Sequence, residues 1–322
     1  MLVSAALLRY ARGVTGNPYP NARSGLLLGL AAYAVWGVLP LYFKAVAHVS
    51  ATQIVAHRIV WSLLFLAALA SLWRRWPGIR AALAVPRLAM TLALTATLIA
   101  VNWLVYIYAV VSGHVLEGSL GYFLNPLVNV LLGLFFLKER LTAAQKAAFG
   151  LAAAGVAVLA AGAGGAIWIS LALAGSFALY GFFRKIAPVD ALEGLAVETI
   201  FLTPLALGWI LLVQQGGDGA FLRDRTTDLL LILGGAVTAV PLLLFTAAAK
   251  RLPYSTLGFL QYIAPSIQFL LAVLAFGEPL TRSHLICFGA IWAALAVFVF
   301  EGLRTGRAAR ASDALAASAA RG

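Results

Sequence analysis

Ten stretches of about 20 mostly apolar residues follow one another along this chain, separated by short polar interruptions. That is the length a helix needs to cross a hydrocarbon core. The stretches cover residues 25–46, 52–72, 88–111, 118–137, 143–162, 166–183, 192–213, 229–249, 256–276 and 283–300. In hydrocarbon an unpaired backbone amide costs several kcal/mol, so each stretch is read as a helix rather than a strand or loop. A water-soluble fold is excluded because only 11% of the residues are charged, against about 25% in soluble domains.

The net charge of +12 would suggest nucleic acid in a soluble protein. Here the basic residues fall between the apolar runs, where membrane proteins carry them, and no nucleic-acid partner is expected. With the N-terminus in the cytoplasm, 18 Lys and Arg residues fall on that side and 4 (Lys44, Arg223, Arg225, Arg282) on the other, with Arg58 inside a helix. This asymmetry predicts an even number of spans, both termini cytoplasmic, in a bacterial inner membrane. Residues 1–24 are read as a disordered cytoplasmic lead-in, because the apolar stretch at 2–8 is short and is followed by Arg9 and Arg12. Residues 303–322 are read as a similar tail. A lone cysteine, Cys287, rules out a disulfide within the chain and a thiolate metal site.

A shift of about 139 residues lays the chain on itself. It brings Pro126 onto Pro265, Glu139 onto Glu278, Leu141-Thr142 onto Leu280-Thr281 and Phe149-Gly150 onto Phe288-Gly289. Five helices per half is an odd number, so the second half is expected to lie inverted, the arrangement associated with alternating access. The expected fold is an all-α membrane protein of ten transmembrane helices, built as two inverted five-helix repeats over residues 25–163 and 164–302.

Charges at membrane depth are functional candidates by default. Arg58 and Glu198 occupy nearly equivalent positions in the two halves, each about 10 Å from its helix start. A direct pair would have to bridge roughly 10 Å along the membrane normal, and the readings are a structural pair, an Arg that snorkels outward, or a charge facing a solute cavity. Glu198 is also the candidate for proton coupling, since burial raises a carboxyl pKa.

Pro126 and Pro265 each free the carbonyl four residues earlier, those of Tyr122 and Gln261, and are read as helix breaks at a transport site or as packing kinks. Around them stand Asn125, Asn129, Tyr262 and Gln268. Asn102 and Tyr106, four apart on one helix face, and Trp36 complete the candidate cavity; Tyr42 and Tyr108 are assigned to interface belts. Thr142-x-x-Gln145 reads as a capping box, and Glu139 and Glu278 are expected to organise helix junctions rather than chemistry. His114 and Glu117 are placed in a short outer loop.

No His-Glu-x-x-His, Gly-x-Ser-x-Gly or Walker-type loop is present, so no catalytic residue, cofactor or metal is expected and transport would draw on a gradient.

These residues carry a resemblance. Tyr33-Ala34-Val35-Trp36-Gly37, Ala56-His57-Arg58-Ile59-Val60-Trp61 and the run from His114 through Asn125-Pro126-Leu127-Val128-Asn129 to Gly133 are similar to the RarD family, in the EamA branch of the drug/metabolite transporters. The resemblance implies a ten-helix inverted-repeat permease with its solute path between the halves and the fifth and tenth helices toward the outside. The expected partners are a small organic solute and the bilayer, with a coupling proton or an exchanged solute, and room for a homodimer. The alternatives are an intramembrane enzyme or lipid-handling scaffold, or an accessory membrane subunit.

Overall fold

The structure, a computed structural model, describes residues 19–111, 114–161, 167–275 and 282–319. Among the described residues every regular element is a helix: α1 (Ala22–Ala45), α2 (Ala51–Leu72), α3 (Trp76–Ala84), α4 (Pro86–Val111), α5 (Val115–Phe136), α6 (Ala143–Ala160), α7 (Ile167–Ile186), α8 (Ala191–Gln215), α9 (Arg225–Ala249), α10 (Tyr254–Gln261), α11 (Ile263–Leu274) and α12 (Arg282–Ala319). Seven of them, α1, α2, α4 and α6–α9, are long and apolar enough to cross a membrane. Shorter apolar stretches occupy Leu120–Phe136 and Leu285–Glu301.

Large apolar side chains cover the outside, Leu205 being 77% and Leu274 80% exposed. Such a surface is stable only against lipid. Inside, helices approach through small residues, as membrane helices do where apolar burial gives no preference for protein over lipid. Gly235 of α9 lies against the α2 backbone at Trp61 and Ser62, so close that a Cβ would collide with it. The Ser62 hydroxyl then donates to the Gly235 carbonyl at 3.0 Å.

Helix α1 packs against α9 and the α10–α11 pair, α2 against α8 and α9, α4 against α7 and α8, and α5 against α7 and α10. Helices α6 and α12 pair chiefly with each other, with Cys287 and Ala290 lying over Gly155. The helices share one end, rich in Arg and Lys, at the loops near residues 73–87, 137–142, 187–190 and 250–253; it is called the basic end below.

Several elements differ from expectation. The stretch between α2 and α4 holds a short helix, α3, because Ile79 and Ala82 give it one buried face beneath its basic residues. The segment expected to be a disordered tail continues α12 as helix to Ala319. Pro126 lies inside the unbroken α5, whereas the chain turns at Tyr262 between α10 and α11, three residues before Pro265. The matched prolines therefore divide only one of their two helices. Glu117 belongs to the first turn of α5 rather than to a loop. The lead-in residues 1–18, Glu278 and Thr281 lie outside the described residues.

Candidate functional site

A cavity of about 360 Å³ opens among α1, α2, α4, α5, α7, α9 and the α10–α11 pair. It reaches Pro40, Phe43 and Tyr106 near the ends of α1 and α4, so it lies between mid-membrane and the end opposite the basic one. That volume falls in the range of small-molecule pockets, roughly 300–1,000 Å³. Of the sequence candidates, Trp36, Arg58, Asn102, Tyr106, Tyr122, Gln261, Gln268 and Pro265 line it, beside Phe43, Trp103, Phe177 and Phe269.

Arg58 is the charged side chain among those lining residues and is 8% exposed. Its Nε donates to Thr238 Oγ1 at 2.7 Å. Its guanidinium carbon lies 5.3 Å from the Phe43 ring centroid and 5.5 Å from that of Trp103, where the ring quadrupoles attract a cation. Among the described residues no carboxylate lies within 4.0 Å of it. The amides are more committed. Asn102 gives its amide hydrogens to the Leu173 carbonyl and Ser176 Oγ, at 2.9 and 3.0 Å. Gln268 donates to the Trp36 carbonyl at 2.9 Å.

Toward the basic end an aromatic plug floors the cavity. Trp36, Phe177 and Phe245 meet at centroid separations of 5.4–5.6 Å, with Tyr33 and Tyr180 packed on Phe245. Hydroxyls fix the plug's edges: Tyr33 donates to the Leu257 carbonyl and Tyr254 to the Ala178 carbonyl.

Below the plug lies Glu198, 1% exposed. It does not pair with Arg58. Its partner is Arg184 of α7, fully buried, with Nε 3.3 Å from Glu198 Oε1. Thr95 donates to the same oxygen at 2.5 Å and Tyr180 to Oε2 at 3.3 Å. Glu198 borders a separate void of about 10 Å³ rather than the cavity, at the lower limit of what one water occupies. Arg184 and Lys185, two of the 18 basic residues that the charge asymmetry assigns to cytoplasmic segments, are both buried. A signal was available: Arg184 and Glu198 stand at similar distances on either side of the turn at Asp190, so an α7–α8 hairpin brings them to one depth.

Further contacts close this end. Lys185 Nζ donates to the carbonyls of Ala249 and Leu252 at the end of α9, and Lys250 Nζ to that of Ala187 at the end of α7. Positive groups there meet the partial negative charge of helix C-termini. Lys250 stands outside the spans, and burial pushes its ammonium down to about 8. Glu139 accepts from the Tyr254 and Ser255 amides and the Ser255 hydroxyl, capping α10 from across the bundle. The capping box of Thr142 and Gln145 is present at the start of α6.

Asn125, Asn129 and Tyr262 do not line the cavity. Asn125 donates to the Ala174 carbonyl, Asn129 to Gln261 Oε1 at 2.7 Å, and Tyr262 is buried in the α5–α6–α12 cluster. Tyr42 donates to the Leu230 carbonyl, and Tyr108 stacks on His114. Among the described residues no group of three His, Cys, Asp or Glu is arranged to hold a metal.

Comparison with known proteins points one way. A family model described as the EamA-like transporter family matches residues 23–161. An "Uncharacterized transporter" of Vibrio cholerae is 46% identical over 291 residues, covering 90% of this chain and 96% of that one. "Protein RarD" of Escherichia coli is 45% identical over 288 residues, covering 89% and 97%. A solved crystal structure shares the fold with a TM-score of 0.69 at 21% identity, over 86% of this chain and 97% of that one.

Proposed function

This chain belongs to the RarD family of EamA-type permeases, and we propose that it is a secondary transporter moving a small organic solute across the bacterial inner membrane by alternating access. It is a multi-pass membrane protein of a transporter family, and the observation that carries the finer reading is the one-sided cavity. The cavity reaches toward one end, while the aromatic plug, the buried Arg184–Glu198 pair and the lysine contacts close the other. A scaffold protein has no use for a chamber with one wall sealed by ionic and aromatic contacts that can separate.

With the basic end taken as cytoplasmic, the arrangement is on this reading an outward-facing one. In this proposal the seven long spans, the two shorter apolar stretches and the α10–α11 pair, taken as one crossing, are assigned as the ten passes of an inverted-repeat transporter. The family model's match over residues 23–161 coincides with the first of the proposed halves. Energy coupling is assigned to the closed end: a proton taken up by Glu198 cancels its attraction to Arg184 and releases that end to open, leaving Arg58 to the solute.

The test is two-sided accessibility. Gln268→Cys places a thiol on the cavity wall, and the native Cys287 is fully buried. In oriented proteoliposomes a membrane-impermeant maleimide should label position 268 from the outer face, and from the cytoplasmic face once the closed end opens. Labelling from one face only, under every gradient applied, removes alternating access.

A further inference from the structure

We infer that the cavity selects a solute carrying one net negative charge on an aromatic body, an aryl or arylalkyl carboxylate, rather than an organic cation or a zwitterionic amino acid; the inference rests on the transporter reading for calling that solute a substrate.

Three observations converge on this class. First, among the described residues Arg58 has no counter-charge within 4.0 Å, its contacts being a neutral hydroxyl and two aromatic faces. Only Nε is committed, so both terminal nitrogens of the guanidinium remain for a ligand. Those two donors form the fork that matches a carboxylate in a bidentate pair. The side chain is more than nine-tenths buried, and a charge this far removed from bulk water gains from an anion brought beside it.

Second, among the described residues the cavity-lining side chains include no Asp, Glu or Lys. An ammonium group entering the cavity would find no carboxylate to neutralise it and would be repelled by Arg58. Glu198 does not supply one, because it lies on a different void and is engaged by Arg184. A zwitterion would therefore gain at its carboxylate and lose at its ammonium.

Third, the ring-bearing walls hold the body. Trp36, Trp103, Tyr106 and Tyr122 offer flat apolar surface around Arg58, with Tyr106 and Tyr122 edge to face at 5.7 Å. Aromatic ligands gain from such edge and offset contacts beyond their buried area. Gln261 accepts from Asn129 through Oε1, which leaves its Nε2 as a side-chain amide donor on this wall. It supplements Arg58 with a second donor, which also favours an anion.

The test uses four compounds of one shape and different charge: 3-phenylpropionate, 3-phenylpropanol, 3-phenylpropylamine and phenylalanine. Binding to the purified full chain is read by quenching of tryptophan fluorescence, since Trp36 and Trp103 line the cavity, and independently by thermal shift. The expected result is that the anion binds at least tenfold more tightly than each of the other three. Arg58→Gln should abolish that preference, while Arg58→Lys should retain part of it through the charge without the fork. Unliganded melts of both variants report folding, so a lost preference in a folded Arg58→Lys or Arg58→Gln protein is a binding effect. Equal binding of phenylalanine or of the amine, absence of anion binding, or anion binding unchanged in Arg58→Gln each overturns the assignment. The Gln268→Cys labelling separates the two claims. Two-sided labelling with no anion preference leaves the transporter and removes the solute class, whereas anion preference with one-sided labelling does the reverse.

Discussion

Removing either member of the buried Arg184–Glu198 pair should cost far more than removing both. Both side chains are at most 1% exposed. In Arg184→Met the Glu198 carboxylate keeps two neutral donors, Thr95 and Tyr180, and loses its only counter-charge. In Glu198→Met the guanidinium keeps the Ala191 carbonyl and nothing anionic. An uncompensated buried charge destabilises by about 3–5 kcal/mol. The double variant leaves no charge behind. Thr95 retains the Leu92 carbonyl, and Tyr180 loses a weak bond, a penalty of about 1–3 kcal/mol if its hydroxyl stays unsatisfied. The double variant should therefore lie within about 3 kcal/mol of the native chain, with a coupling energy of at least about 3 kcal/mol between the sites. Denaturant titration in mixed micelles, followed by tryptophan fluorescence, measures all four corners of this cycle. Additive costs would refute the reasoning, since they would mean that neither charge depends on the other. The cycle also bears on function: a Glu198→Gln chain that loses gradient dependence must first be shown to fold.

Gly235→Ala should destabilise by about 1–3 kcal/mol or misassemble, because its Cβ would meet the α2 backbone rather than a side chain that can swing away; expression and melting of the variant check this. Glu139→Gln should lower stability by about 1.5–3 kcal/mol, the worth of charge-assisted bonds to the α10 amides, and hydrogen exchange should rise first at Tyr254 and Ser255. Lys250, held near 8 by burial, should be acylated by an amine reagent at half its maximal rate at about that pH. The sign follows from the cause: burial disfavours the charged form, so the reactive free amine accumulates at lower pH than on an exposed lysine. A midpoint near 10 would show that Lys250 stays hydrated.

Much of the cavity wall could be read from the sequence, because Arg58, Asn102 and Tyr106 are polar groups set in otherwise apolar spans, and water or a partner has to account for each. The same logic was incomplete for Glu198. Matching depths in the two halves point to Arg58, whereas Glu198's partner comes from the neighbouring helix of its own hairpin. Arg184 stands close enough to a helix end to pass for a loop charge. Asn125 and Asn129 show another limit: an amide at membrane depth satisfies the same sequence criterion whether it faces a chamber or seals a helix contact, and only packing distinguishes the two. Helix α3 escaped detection because its apolar face is too short to register as a span. Pro126 and Pro265 have like neighbours in sequence, yet only the second accompanies a divided helix, since a proline's freed carbonyl can be accommodated without ending the helix around it.

The guanidinium of Arg184 occupies the place where a side chain at Gly194 would begin. This orders the substitutions by which descendants of the chain can change. While Arg184 is present, a Cβ at position 194 requires its guanidinium to shift. While Glu198 is present, evicting Arg184 strands an anion. Lineages that discard the pair must pass through a single-charge intermediate or change both residues together, and only afterwards does position 194 become free to vary. The glycine thus records which charges its lineage still carries, and a relative with alanine there should lack both.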